Sequence, residues 1–144
     1  MTHAQMAKQL FEQGYSCAQA VAVAFGDVTG LDADTSARMA SSFGGGMGRL
    51  REVCGAVSGA LLVLGLVQGY HRPDDAEGKK AHYRQVQRFA AAFRGRCGSI
   101  ICRELLGVEG AQPPVPEARS EGYYQKRPCA QLVFDAAEIL DEIL

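Results

Sequence analysis

Val53-Cys54-Gly55-Ala56-Val57-Ser58-Gly59-Ala60-Leu61-Leu62-Val63-Leu64-Gly65-Leu66-Val67-Gln68-Gly69-Tyr70 is the longest stretch of the chain without an acidic or basic residue. Its length approaches the ~20 apolar residues of a membrane-spanning helix. Glycine recurs through it, however, and Ser58 and Gln68 lie inside it. The segments on either side carry apolar residues at helical spacing, and such faces need a partner to bury against. The stretch is therefore read as a central apolar helix over about residues 52–70, packed inside a bundle and not inserted in a membrane.

Outward from this helix the pattern stays helical, with breaks where glycine, proline or a capping residue falls. On the N-terminal side a helix is expected from Thr2 to Gln13. A second opens with Ser16 as its cap and carries Cys17, Ala20, Val21, Ala24 and Phe25 on one face. A third is capped by Asp32 or Asp34 and runs to Phe43, where Gly44-Gly45-Gly46-Met47-Gly48 forces a loop. On the C-terminal side Pro73-Asp74-Asp75 starts a long helix with Tyr83, Val86, Phe89, Ala90 and Phe93 inward and Lys80, Arg84 and Arg88 on a solvated face. Ser99 caps a short helix over Ile100 to Leu106, and Gln112-Pro113-Pro114-Val115-Pro116 reads as an extended surface link. Pro128 opens a last helix whose inward residues are Leu132, Val133, Ala136, Leu140 and Ile143. No strand alternation persists and no repeat is visible, so the expectation is all-α: one domain over residues 1–144, a bundle of about six to seven helices.

Composition narrows the function. The chain has 144 residues, 47% of them hydrophobic and 22% charged, with a net charge of −1. That balance offers no electrostatic footprint for nucleic acid or an anionic membrane. A chain of this size buries enough surface to fold without staples, so stability does not account for its five cysteines. The opening Met1-Thr2-His3-Ala4-Gln5-Met6-Ala7-Lys8 has no basic segment followed by an apolar core and cleavage site. A cytoplasmic, reducing location is expected, where thiols serve packing, metal binding, catalysis or redox sensing.

Four of the five cysteines fall at a predicted helix start: Cys17, Cys54, Cys102 and Cys129. Free N–H groups and the positive end of the helix dipole favour a thiolate there. Each also lies on or beside the apolar stripe of its helix, so the four can converge. Burial acts the other way, raising a thiol pKa and turning cysteine into a small hydrophobe. Cys97, in Arg94-Gly95-Arg96-Cys97-Gly98, stands apart as an accessory, more exposed thiol whose arginines favour ionisation. The glycine loop lacks the Lys-Ser/Thr ending of a P-loop and reads as a turn permitting close approach to the Cys54 region. Gly55 and Gly59, four apart, form a small-residue groove for another helix. His3, His71 and His82 form no ligand pattern, and no nucleophile-base-acid set is apparent.

With Tyr15-Ser16-Cys17-Ala18-Gln19-Ala20-Val21, Phe43-Gly44-Gly45-Gly46-Met47-Gly48, Cys54-Gly55-Ala56-Val57-Ser58-Gly59, Gly98-Ser99-Ile100-Ile101-Cys102-Arg103-Glu104-Leu105-Leu106-Gly107 and Cys129 in this order, the chain resembles the C_GCAxxG_C_C family of redox-active proteins. The resemblance spans nearly the whole chain. It implies that Cys17, Cys54, Cys102 and Cys129 are the family's four shared cysteines, with Gly55, Ala56 and Gly59 completing the motif, and that Cys97 lies outside the set. It also implies a small prokaryotic protein, sometimes associated with transporter genes. Leu50-Arg51 stands where small residues are expected; placement of Arg49 and Arg51 at the surface is the simpler account, and the alternative is that they favour the Cys54 thiolate or an anionic partner.

Three functions remain open on this reading. The first is thiol-disulfide exchange or electron transfer, with Cys54 attacking, one of Cys17, Cys102 and Cys129 resolving, and a redox partner protein or small thiol exchanging electrons. The second is a metal-binding module in which the same four cysteines hold zinc or an iron-sulfur cluster. The third is an interaction protein, a homo-oligomer whose cysteines only fill the core.

Overall fold

The computed structural model describes residues 1–144. It contains nine right-handed helices and no strand, an all-α fold. These are α1 (His3–Glu12), α2 (Cys17–Ala24), α3 (Gly26–Thr29), α4 (Ala33–Ala40), α5 (Gly55–Gln68), α6 (Ala76–Cys97), α7 (Cys102–Leu106), α8 (Glu121–Lys126) and α9 (Cys129–Ile143). The starts follow from side-chain capping. Thr2 and Ser16 each form a reciprocal box with the glutamine three residues on, and Asp32, Asp75 and Ser120 accept from the amides of Thr35, Gly78 and Tyr123. These bonds satisfy amides that would otherwise lack a partner at the helix end.

One contiguous core takes Phe11 from α1, Val21 from α2 and Phe25 just past it, Val57 and Leu64 from α5, Phe89 and Phe93 from α6, and Val133 and Leu140 from α9. Each of the four fully buried phenylalanines contributes about 1.5–3 kcal/mol through apolar burial. α1 lies along α9, while α2 packs on α5 through small residues. At Gly59 an added Cβ would stand 2.5 Å from the carbonyl oxygen of Ala18, and at Gly55 it would stand 3.3 Å from Cβ of Cys17. The glycine groove expected from the sequence therefore admits the backbone of α2, and by doing so it sets the start of α2 against the start of α5.

The structure differs from the sequence expectations in several places. Gly26–Thr29 and Glu121–Lys126 are short helices of their own, which raises the count above six to seven. The apolar helix begins at Gly55, not near residue 52, because Val53 pairs with Ile101 in an isolated antiparallel bridge that holds the chain extended. Its last turn is also not central: Leu66 is 54% exposed and Val67 43%. Tyr83, expected inward on α6, is 51% exposed and meets Tyr70 at the surface. No helix is long and apolar enough to cross a membrane.

Gly59→Ala is expected to lower unfolding free energy by about 1–3 kcal/mol in urea denaturation, since the methyl meets backbone. Gly95→Ala, on α6 with open space around it, should raise it by about 0.5–1 kcal/mol. Equal small effects from both would remove the close crossing. A second expectation concerns His3, stacked on Phe25 with its ring nitrogens 2.8 Å from Asp27 and from Asp141. Desolvation lowers its pKa, but the hydrogen bonds to the two carboxylates outweigh it, so the pKa is raised above 6.5. The raised value means stability present below 6.5 and lost as pH climbs through the folded pKa. Thermal unfolding should therefore show wild-type stability declining over that window, a component absent from His3→Gln; parallel curves would rule it out.

Candidate functional site

All four helix-start cysteines line one cavity of ≈ 70 Å³, together with Arg51, Arg119 and Arg127 and the apolar side chains of Phe11, Leu105 and Leu132. Space of this size holds only a few water-sized groups. Cys17, Cys102 and Cys129 are the first residues of α2, α7 and α9, and Cys54 is the N-cap of α5. The bridge between Val53 and Ile101 brings two of these starts side by side. The Cys54 amide donates to the Ile100 carbonyl at 2.8 Å and the Cys102 amide to the Glu52 carbonyl at 2.5 Å. All five cysteines are free thiols.

The glycine loop closes over this cavity in an unusual backbone state. Gly45, Gly46, Met47, Gly48 and Arg49 follow one another at φ 68°, 67°, 69°, 56° and 70°, and Arg51 returns to 61°. Left-handed backbone costs a non-glycine residue about 1–2 kcal/mol, so Met47, Arg49 and Arg51 hold strain that the surrounding contacts must offset. Gly46 shows why the loop needs glycine: a Cβ there would lie 2.7 Å from Cβ of Cys102 and 2.8 Å from Cα of Arg51. The loop thus lines the same cavity as Cys54, as expected, and comes closest to Cys102. It also turns Arg51 inward, where the residue is only 6% exposed. Arg51 Nε donates to Gln112 Oε1 at 2.8 Å and Nη1 to Cys102 Sγ at 3.6 Å.

Electrostatics separates the thiols. Burial pushes Cys54 up to about 12, and the amides of Ala56 and Val57 at the start of α5 only partly oppose it. At this position desolvation outweighs the helix end. Cys17 is raised well above the usual thiol range by its interaction with the Cys129 sulfur, and next by burial. Cys129 moves the other way. The Cys17 thiol beside it lowers it first, burial opposes, and the charges of Arg127, Arg51 and Arg119 lower it further. Of the two thiols, Cys129 is the one whose charged form the arginines favour. Cys97 does not follow its arginines: burial and the Asp135 carboxylate, which accepts its S–H at 3.5 Å, raise it to about 11. It lies outside the cavity.

Four cysteines in this order, the C-G-A-x-x-G turn and the glycine loop now stand together in one place, and a family pattern matches residues 15–143. The chain belongs to the C_GCAxxG_C_C family. Its description reads "Putative redox-active protein". No curated protein and no solved structure matches the chain.

Two of the arginines beside the C_GCAxxG_C_C cysteines were not singled out in the sequence. Arg119 stacks on Phe11 and Tyr123, 4.4 and 4.9 Å from the ring centroids, and donates to the carbonyls of Phe11 and Tyr15. Arg127 pairs with Glu117 and lies over Tyr123. Arg127 stands two residues before Cys129, a signal visible in the sequence. Arg119 gave none, because it sits beyond the proline link and reaches the site only through the fold. The four sulfurs share a cavity without closing on a point: no three Cys, His, Asp or Glu side chains are grouped to hold a metal ion.

Ultraviolet titration of thiolate should detect one group ionising below the usual thiol value of 9.0. In Cys17→Ala that step should move upward, because the donor that holds the charge is gone; in Cys54→Ala it should stay. An unmoved step in Cys17→Ala would show that the two thiols do not share a proton.

Proposed function

We propose that this protein carries out thiol-disulfide exchange with Cys129 as the attacking thiol and Cys17 as the resolving one. The observation that supports this most directly is that Cys17 and Cys129 line one small cavity with Arg51, Arg119 and Arg127, with Cys129 lowered and Cys17 raised. The thiolate is the nucleophile in such exchange, and the Cys129 pKa is shifted downward where those of Cys17 and Cys54 are raised. We assign the attack to Cys129, in place of the Cys54 expected from the sequence, because burial pushes the Cys54 thiol up to about 12.

The step balances without a further reactant. Cys129 thiolate attacks one sulfur of a disulfide R–S–S–R, a Cys129–S–S–R bond forms, and R–S⁻ leaves. Cys17 gives its proton to that leaving thiolate and attacks the Cys129 sulfur, releasing the second R–S⁻. The sum is Cys17–SH + Cys129–S⁻ + RSSR → Cys17–S–S–Cys129 + RSH + RS⁻; two electrons pass to the substrate. A dithiol of a redox partner or a small thiol returns the protein to the reduced state by the reverse exchange. Cys54 and Cys102 face the same cavity and are the thiols to which the oxidation can pass next.

Treatment of the reduced protein with a small disulfide, followed by peptide mapping, is expected to give a Cys17–Cys129 bridge. In Cys17→Ala the reaction should stop at a mixed disulfide on Cys129. Modification centred on Cys54, or a full set of unreacted thiols at high disulfide concentration, would refute the assignment.

A further inference from the structure

We infer that the substrate of this site is a small disulfide bearing carboxylate groups, bound by its charge in a vestibule above the thiols; this rests on the exchange reading and adds the substrate's class. The vestibule is a second cavity of ≈ 320 Å³ that shares Arg51, Arg119, Tyr123 and Arg127 with the thiol cavity and adds Arg49 and Glu117. Its volume falls within the range of about 300–1,000 Å³ typical of small-molecule sites. No cysteine lines the vestibule itself, so the disulfide has to pass from it into the far smaller thiol cavity, a route that favours a small flexible molecule over a disulfide embedded in a folded protein.

Charge identifies the ligand's character. Four guanidinium groups face one carboxylate, that of Glu117, an excess of four minus one, or three positive charges, in a chain whose net charge is −1. The excess is therefore local to this mouth. Partly enclosed walls focus such a field and draw in ligands of opposite sign. Glu117 indicates which anion fits. Its Oε1 is gripped by Arg127 and lies 3.4 Å from Arg49 Nη2, at the outer end of the cluster. A carboxylate of the chain thus occupies part of the arginine rim, and planar guanidinium groups are suited to carboxylates. Arg51 and Arg119 remain for the carboxylates of the substrate. Arg119 is already held in place by two backbone carbonyls and two aromatic faces, so little ordering is needed when the ligand arrives. Glu117 competes with the ligand for the outer arginines.

The test compares three disulfides of similar size on the reduced protein: dithiodipropionate, which is a dianion, neutral hydroxyethyl disulfide, and cationic cystamine. Each rate is divided by the rate of the same disulfide with free mercaptoethanol to remove intrinsic reactivity. The dianion should react about tenfold or more faster than the neutral compound on this scale, with the advantage shrinking as salt is added. Cystamine should be slower than both. Arg49→Gln should reduce the dianion-to-neutral ratio several-fold, and Glu117→Gln should increase it. A ratio near one that neither substitution moves would overturn the anionic vestibule, while a Cys17–Cys129 bridge formed equally with all three would leave the exchange reading standing. Failure of every disulfide to form that bridge would end both.

Discussion

Everything at the thiol site hangs on how closely the backbones of α2 and α5 approach. Gly59 meets the Ala18 carbonyl and Gly55 meets Cys17 and the carbonyl of Phe43, at separations that leave no room for a side-chain carbon. Because interiors are packed without slack, this contact fixes where α2 begins relative to α5, and so where Cys17 stands relative to Cys54. The Val53–Ile101 bridge then brings in α7, and α9 enters along α1 and α6. Four helix starts from separate parts of the chain end up around one small space.

That space sets two opposing effects against each other at each sulfur. Removal from water disfavours a thiolate, while helix-end amides and guanidinium groups favour it. At Cys54 the amides lose to burial. At Cys129 the neighbouring Cys17 thiol and three arginines win over burial. A helix start alone is therefore not enough to make a reactive thiol. What distinguishes Cys129 is its company, much of which arrives from residues 112–127, the segment that links α7 to α9. The strained loop from Gly45 to Arg51 has a related part: its left-handed backbone turns Arg51 inward onto Cys102 and Gln112. Strain of this kind persists only where neighbours enforce it, and here the neighbours are the site itself.

Much of this was legible in one dimension. Ser16 and Asp32 mark helix starts because their side chains answer free amides, and helical spacing of Val21, Phe89, Phe93 and Leu140 marks the buried faces. The four cysteines and the Gly55/Gly59 groove could be picked out because their meaning is local: a position in a helix, a missing Cβ. The helix start at residue 52 was misplaced since the force that keeps Val53 extended is a bond to Ile101, far along the chain. Arg119 and Tyr123 were missed for the same reason.

The amino-acid order by itself determined an all-helical chain, the faces each helix would bury, and four sulfurs at helix ends, since these depend on periodicity and on neighbours a few residues away. Tertiary structure alone decided which sulfurs share a cavity, in which direction each thiol pKa moves, and which arginines surround them. Those outcomes depend on burial and on Coulomb interactions between residues more than a hundred positions apart, such as Cys17 and Cys129, and no spacing along the chain encodes them.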